Sequence, residues 1–384
     1  MLNWSSCGKK HSKPRKKYRS IYMRIVTHRE CSMKLNLMTS MSTTGYGVVG
    51  NNVVNSLIAQ GVDVCLWPYG NIQPQYQPMV NNQINVDPDA PCLNIWHQFD
   101  LAKRVGNGKY FAWPFFELDK FTPQEKAHLK VPNTIIASSQ WAVDIILDQV
   151  PQQTVVKIPC GVDSSIFKPS DTPRDENKPY TFFNIGKWEK RKGHDVLIRA
   201  FDKAFDISDD VLLVMMPHNP FLREHQKQAW VNMYSNAKLS SKVSILGPVP
   251  THQHVARIIN NCDCGVFPSR AEGWNLELLE SMACGKPVIT TNNSAHTEFC
   301  DGVNAFLIDT PEMEDAYDGI FFDGHGQWAE FDIDQEDQLI EYMRNCYKNR
   351  PTNISGVTTA EHLSWSRTAA SLTNAIFNHD NVEF

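Results

Sequence analysis

The sequence predicts a two-domain α/β fold, each domain a parallel sheet covered by helices. Three observations carry this. Strand-like and helix-like segments alternate after residue 33, a Gly-rich turn joins the first strand to the first helix, and the alternation restarts after the polar, Pro-containing stretch 169–179. A β-loop-α-β start favours parallel pairing, because parallel strands need a crossover that a helix supplies. At 384 residues two domains are expected.

In the first half, residues 35–39 read as a strand. Residues 42–50 form the Gly-rich turn, and Val49, Val53 and Leu57 then recur at helical spacing up to a stop at Gly61. Strands follow at 62–67, 92–96, 110–113, 134–138 and 155–158, with a helix over 140–147. In the second half the expected strands are 180–185, 211–215, 243–246, 265–268 and 288–291, with an edge strand near 304–308. The helices between them are expected around 196–204, 223–238, 255–259 and 276–283. Residues 310–330 are rich in Gly and acids and read as an insertion or long loop. Helices at 335–347 and from Trp365 onward complete the chain.

The composition, 42% hydrophobic and 21% charged, is that of a soluble globular protein, and no apolar run approaches the roughly 20 residues needed to span a bilayer. The net charge of -5 gives no reason to expect nucleic-acid binding. Residues 1–32, however, carry nine Lys/Arg against one acid, Glu30, without apolar periodicity. They read as a disordered or poorly packed basic extension: an over-extended start upstream of Met33, a transit peptide, or a tail for nucleic acid or anionic membrane. A weak peripheral membrane contact would come only through this tail. The ten cysteines include no Cys-x-x-Cys, so free thiols in a reducing, cytoplasmic setting are expected in place of a disulfide framework or zinc site.

Two motifs carry chemistry. In Glu272-Gly273-Trp274-Asn275-Leu276-Glu277-Leu278-Leu279-Glu280, two carboxylates flank seven residues and an apolar run follows. A helix starting near Asn275 places Glu272 in the preceding loop and Glu280 about a turn and a half inside, so both can face one ligand at the helix start. The unpaired N–H groups there suit a phosphate. Carboxylates suit sugar hydroxyls, because they accept the hydrogen bonds that hydroxyls donate. The second motif, Gly186-Lys187-Trp188-Glu189-Lys190-Arg191-Lys192-Gly193, places four cations at a strand end, where they suit a diphosphate or form a solvated basic loop.

On these residues the second half resembles the retaining GT-B glycosyltransferases of glycosyltransferase family 4, the group 1 glycosyltransferases. The matching elements are Gly186-Lys187…Lys192-Gly193 and Glu272…Glu280 followed by Ala283-Cys284-Gly285-Lys286-Pro287-Val288-Ile289. The linker Cys160-Gly161-Val162-Asp163…Phe167-Lys168-Pro169, the Ser364-Trp365 helix start and the loop Gly45-Tyr46-Gly47 also match. The resemblance implies two Rossmann-like domains facing a cleft: an acceptor-side domain over 33–168, a nucleotide-sugar domain over 169–355, and a C-terminal segment 356–384 crossing back. It implies that Lys187 and Lys192 bind the donor diphosphate, that Glu280 accepts from the ribose and that Glu272 accepts from the transferred sugar. Backbone N–H groups around Gly273, Trp274, Asn275 and Leu276, and the glycines Gly45 and Gly47, would approach the donor.

Lys187 stands where Arg is common, and Asn275 where Gly is often found. Glu277 reads as a solvated acid on the helix face. The first-domain loop that carries a His in many members reads Phe116-Glu117-Leu118-Asp119, which makes Glu117 either an acceptor-holding carboxylate or a capping or surface acid. His97 is either a second cleft residue or a structural hydrogen bonder. Trp113, Trp188 and Trp274 either stack on ligand or fill the core. The implied activity is metal-independent, retaining transfer of a hexose from a nucleoside diphosphate sugar to a glycan, lipid-linked or small-molecule hydroxyl, with Lys192 and Glu272 central and no cofactor. A nucleotide-sugar epimerase or phosphorylase of the same architecture, or a non-catalytic carbohydrate-binding protein, are the rival readings.

Overall fold

The computed structural model describes residues 33–82 and 86–378. The expected basic extension over 1–32 and the last residues of the chain lie outside the described residues. The first sheet contains β1 (Lys34–Ser40), β2 (Asp63–Tyr69), β3 (Cys92–Asn94), β4 (Tyr110–Ala112), β5 (Thr134–Ala137) and β6 (Val155–Lys157), all parallel, in the order β2-β1-β3-β4-β5-β6. Its helices are α1 (Gly45–Ala59), α2 (Gln77–Asn82), α3 (Pro123–Leu129) and α4 (Gln140–Gln149). Val49, Val53, Val54 and Leu57 of α1 are buried with Leu35, Leu37 and Val64 of the sheet, so the i, i+4 spacing became a core face.

The second sheet contains β7 (Tyr180–Ile185), β8 (Val211–Met216), β9 (Val243–Ile245), β10 (Cys264–Phe267), β11 (Val288–Thr291) and β12 (Phe306–Ile308), in the parallel order β12-β11-β10-β7-β8-β9. Helices α5 (His194–Ala204), α6 (Glu224–Ser235), α7 (His252–Asn261) and α8 (Leu276–Ala283) alternate with these strands. Every residue of β7 is buried, as a strand covered on both faces requires.

The strand order reverses between β1 and β3 in the first sheet and between β7 and β10 in the second. Ligands of open α/β sheets bind at such reversal points, beyond the carboxyl ends of the strands. Gly45-Tyr46-Gly47 and His97 lie just beyond β1 and β3. Lys187–Lys192 and Glu272 lie just beyond β7 and β10.

The stretch 310–330, read above as a loop, contains an antiparallel hairpin, β13 (Met313–Tyr317) with β14 (Asp323–Ala329). Gly319, Gly324 and Gly326 hid it, because all three take left-handed backbone and break the period-2 pattern. Asp318 accepts from the N–H groups of Ile320, Phe321 and Phe322 and shapes the tip. Trp328 is fully buried against Ala271 and Ala316, with Leu118 of the first half beside them. Three helices close the described chain: α9 (Ile333–Asn349), α10 (Ile354–His362) and α11 (Trp365–Phe377). The last returns to the first half, where Ser366 accepts from Gln60 of α1's C-cap and Thr368 donates to Pro159.

The second sheet positions the turn after β7 through one glycine. Gly193 caps α5 with φ 70°, and a Cβ there would lie 2.0 Å from the Pro268 carbonyl oxygen beyond β10. Gly193→Ala therefore forces backbone apart as well as straining φ. It should lower stability by about 3 kcal/mol or more in urea unfolding, and an unchanged midpoint would contradict this packing.

Candidate active site

Beyond β7 and β10 five charged side chains alternate in sign. Lys187 Nζ lies 2.9 Å from Glu189 Oε1, whose other oxygen takes Arg191 Nη2 at 2.8 Å and Nε at 3.1 Å. Arg191 Nη1 donates to Glu272 Oε2 at 2.8 Å, and Lys192 Nζ sits 2.8 Å from Glu272 Oε1. Ser269 Oγ also donates to Glu272, and Arg191 reaches the Ala271 carbonyl at 2.7 Å. Glu189, Arg191, Lys192 and Glu272 are buried, while Lys187 stands at the rim with its side chain 39% exposed.

Burying such charges costs several kcal/mol per ion unless each is paired. Here the pairing wins. Burial pushes the Glu272 carboxyl up, but Arg191 and Lys192 outweigh it and hold that group well below the usual range. Burial likewise works against the charge on Lys192, and Glu272 with Glu277 overcomes it. Glu189 stays low for the same reason, with Arg191 and Lys187 outweighing desolvation. Glu277 is thus more than a solvated helix-face acid, since its carboxylate is 3.9 Å from Lys192 Nζ.

A second cation locks the backbone carrying this chain. Arg270, itself buried, makes a two-point pair with Asp195 in the first turn of α5 and donates to the Lys190 carbonyl. Its own N–H donates to the Arg191 carbonyl at 2.6 Å. The basic run is therefore a rigid turn with buried polar contacts, not a solvated loop.

The Glu272 loop is fixed by its neighbours. Glu272 N–H donates to Ser294 Oγ at 2.9 Å, and its carbonyl accepts from Ala295. A Cβ on Gly273 would lie 2.9 Å from the Phe116 carbonyl oxygen, so glycine lets the first domain's loop pack here. Asn275 caps α8 from left-handed backbone, with φ 83°, and its Oδ1 accepts from the Leu278 N–H. Leu276 and Glu277 begin the helix, where N–H groups have no intrahelical acceptor. Glu280 is buried inside α8, and its carboxyl has no ion-pair or hydrogen-bond partner among the described residues. Burial, with Glu277 nearby, raises its pKa well above the ordinary carboxylate value.

The first domain contributes Glu117, whose Oε1 is 3.9 Å from Arg191 Nη2. Burial raises its pKa against the pull of Arg191. Its loop is held by Tyr46, whose hydroxyl donates to the Phe115 carbonyl and accepts from the Phe115 N–H. Asp119 accepts from the Gln327 N–H of the hairpin at 2.7 Å, and Glu298 of the second half accepts from the first N–H of α4 and pairs with Lys157.

Lys187, Lys192, Glu272 and Glu117 are thus brought together, with Gly273, Trp274, Asn275 and Leu276 alongside. Gly45 and Gly47 lie in the first turn of α1, not in a separate loop. Gly47 packs on Ser42, whereas a Cβ on Gly45 would meet open space. His97 stacks on Phe99 and contacts Tyr46. Burial, with Lys187 nearby, lowers its pKa to about 4 and keeps it neutral. The three tryptophans fill the core: Trp113 donates to Ser138, Trp188 stacks on Trp230 and Trp274 packs on Phe299. Among the described residues no group of three or more His, Cys, Asp or Glu is placed to hold a metal ion. No helix among them is long and apolar enough to cross a membrane.

Residues 167–321 match the family model for glycosyl transferases group 1. A glycosyltransferase of Methanocaldococcus jannaschii, itself uncharacterized, is 29% identical over 352 residues, covering 90% of this chain and 83% of that protein. Over these residues the chain is similar to the group 1 glycosyltransferases. A probable sucrose-phosphate synthase of Thermosipho melanesiensis is 23% identical over 49% of this chain and 46% of its own length. The chain thus spans about half the length of the first curated relatives it matches. Among solved structures, sucrose-phosphate synthase from Thermosynechococcus elongatus superposes with a TM-score of 0.68 at 14% identity, covering 91% of this chain and 99% of that one. Anabaena HepE in complex with UDP and glucose does so with a TM-score of 0.62 at 13% identity, covering 90% and 100%. At these identities the likeness establishes the GT-B fold, two Rossmann-like domains, for this chain.

Sequence reasoning placed the lysines and paired acids but missed Arg191 as their hub, together with Glu189, Ser269, Arg270 and His296. One signal was present, the acid at Glu189 alternating with Lys187 and Arg191. Arg191→Met leaves Glu189 and Glu272 buried without their shared cation and should destabilise the fold by roughly 3–5 kcal/mol. Lys187→Met, at the exposed rim, should cost about 1 kcal/mol or less. Equal losses in denaturant unfolding would refute the hub.

Proposed function

We propose that this protein is a glycosyltransferase that transfers a hexose from a nucleoside diphosphate sugar to a hydroxyl acceptor, with retained configuration and without a metal ion. The observation that carries the reading is the alternating chain from Lys187 to Lys192, set beside the open N–H groups of α8 at the strand-order reversal of the second sheet. A departing diphosphate gains negative charge as the bond to the sugar breaks. Lys187, Lys192 and the α8 start supply fixed positive potential there without reorganising. Glu272 already accepts three hydrogen-bonding contacts, from Arg191, Lys192 and Ser269. A carboxylate has about four acceptor sites, so one remains for a hydroxyl of the transferred sugar. Glu280, buried without a partner, is the acceptor for ribose hydroxyls.

Glu117 stands on the other wall, near enough to Arg191 to share its field yet without a close donor, and is assigned to hold or deprotonate the acceptor hydroxyl. His97, neutral and set back among aromatic rings, orients the rim. Retention and metal independence follow the family resemblance. The HepE complexes with UDP and UDP-glucose make a uridine nucleotide the first donor to test. We place the acceptor-side domain at 33–168 and the donor domain at 169–355. The eight described cysteines, all buried free thiols, suit a reducing compartment such as the cytoplasm.

A panel of nucleoside diphosphate sugars should reveal slow hydrolysis or transfer with one donor. Turnover should fall by roughly 10²–10³ in Lys192→Ala and Glu272→Gln proteins that still melt cooperatively. Unchanged turnover in both removes the mechanism. Because the Glu117 pKa is raised, its base form is lost as pH falls through a value above that of an ordinary glutamate. Activity should show an acidic limb there, and Glu117→Gln should abolish that limb along with most of the rate. A limb that persists in the variant reassigns the base.

A further inference from the structure

Asn275 and Ser294 are two of only three non-glycine residues with positive φ among those described, and they sit in facing loops. Ser294 Oγ accepts from the Glu272 N–H, so the 294–298 turn is docked directly on the Glu272–Asn275 loop. Within this corner His296 is fully buried, and its Nε2 lies 2.9 Å from Asn275 Nδ2.

The hydrogen bonds around His296 determine its tautomer. Thr290 donates its hydroxyl proton to the Phe267 carbonyl, and Thr291 donates its own to the Ser269 carbonyl. Both hydroxyl oxygens, at 3.0 and 3.2 Å from His296 Nδ1, can therefore only accept from it, as can the Thr291 carbonyl oxygen at 3.2 Å. The ring proton is thus on Nδ1, and Nε2 carries a lone pair. That lone pair accepts one amide proton of Asn275. It thereby fixes the amide with Oδ1 turned to the Leu278 N–H, where it caps α8 at 3.2 Å. The flipped amide would set Oδ1 against a lone pair and an NH₂ group against an N–H donor.

We infer that His296 is a positioning residue for the diphosphate-binding start of α8, acting through the side-chain amide of Asn275. The inference rests on the donor-site reading above and adds a residue to it. With Oδ1 on the third helical N–H, the N–H groups of Leu276 and Glu277, which have no intrahelical acceptor, are left for the anion. The pair also accounts for a non-glycine residue at φ 83°: the conformation that glycine adopts freely is here held by a side chain used at both ends. Burial, opposed by the attraction of Glu272, keeps the pKa of His296 down at about 4, so the accepting lone pair persists at neutral pH.

The test is calorimetric binding of UDP, ADP and GDP to the full chain, comparing wild type with His296→Ala, His296→Gln, Asn275→Gly and the double variant His296→Ala/Asn275→Gly. His296→Ala should weaken the preferred diphosphate roughly tenfold, as expected when anchored donors lose their orientation. His296→Gln, whose side-chain oxygen can accept from Asn275, should restore most of the affinity. In the Asn275→Gly background, with no amide to orient, His296→Ala should add no further loss.

Equal affinity in wild type and His296→Ala, or the same tenfold loss in the glycine background, overturns the inference. Failure of wild type to bind any of the three diphosphates removes the donor site itself, and the inference with it. Should His296→Ala not fold, long-range ¹⁵N NMR of the wild-type imidazole decides. A protonated Nδ1 with unprotonated Nε2 supports the assignment, and the opposite tautomer overturns it.

Discussion

One buried guanidinium organises the second domain. Arg191 shares its protons between Glu189 and Glu272 and reaches the Ala271 carbonyl, so the loops after β7 and β10 cannot move independently. Removing two cations, Arg191 and Lys192, and two carboxylates from most of their water is costly, and alternation of sign makes it tolerable: each of these buried charges has an opposite neighbour within hydrogen-bond range. The consequence for chemistry is preorganisation. Glu272 is held ionised and Lys192 charged, so a field suited to a diphosphate exists before any ligand arrives. Lys187 is the chain's exposed end, where a second phosphate contact can form without disturbing the buried part.

The two strand-order reversals give this network its place. Gly193 presses the cationic turn against the end of β10, and Arg270 ties the same turn to the start of α5. The first sheet answers through Tyr46, which leaves the β1 end and clasps the backbone of Phe115. That clasp sets Phe116 on Gly273 and carries Glu117 toward Arg191. Two further polar contacts bridge the halves, Asp119 with the hairpin and Glu298 with the start of α4. Glu117 and the cationic turn thus meet where Phe116 packs on Gly273 and Tyr46 holds the backbone of Phe115.

Much of this was legible along the chain, and the illegible parts share a cause. Strong patterning marked β7, α5 and α1, because Tyr180, Phe182, Phe183 and Ile185 crowd aromatic and β-branched residues into six positions and Val196, Leu197, Ala200 and Phe201 recur at helical spacing. The hairpin over 313–329 read as a loop because its turns use left-handed glycines and its apolar content rests on few residues, chiefly Trp328. Short α2, α3 and α10 were missed, since six to nine residues carry too little pattern. At the site, Glu272 and Lys192 followed from motif spacing. The roles of Arg191 and His296 did not, because Arg191 meets Glu272 across 81 positions and His296 meets Asn275 across 21. Local sequence signals residue type at those positions, but only the sheet order brings the partners together.

The most direct measurement is a crystal structure of the protein with the nucleoside diphosphate that binds it most tightly. The account predicts the Nζ atoms of Lys187 and Lys192 within hydrogen-bond distance of diphosphate oxygens, the Glu280 carboxyl on the ribose hydroxyls, and Arg191 still paired with Glu189 and Glu272. A nucleotide bound away from the ends of β7 and β10, or one that draws Arg191 out of its pairs while both lysines stay on their acids, would contradict it.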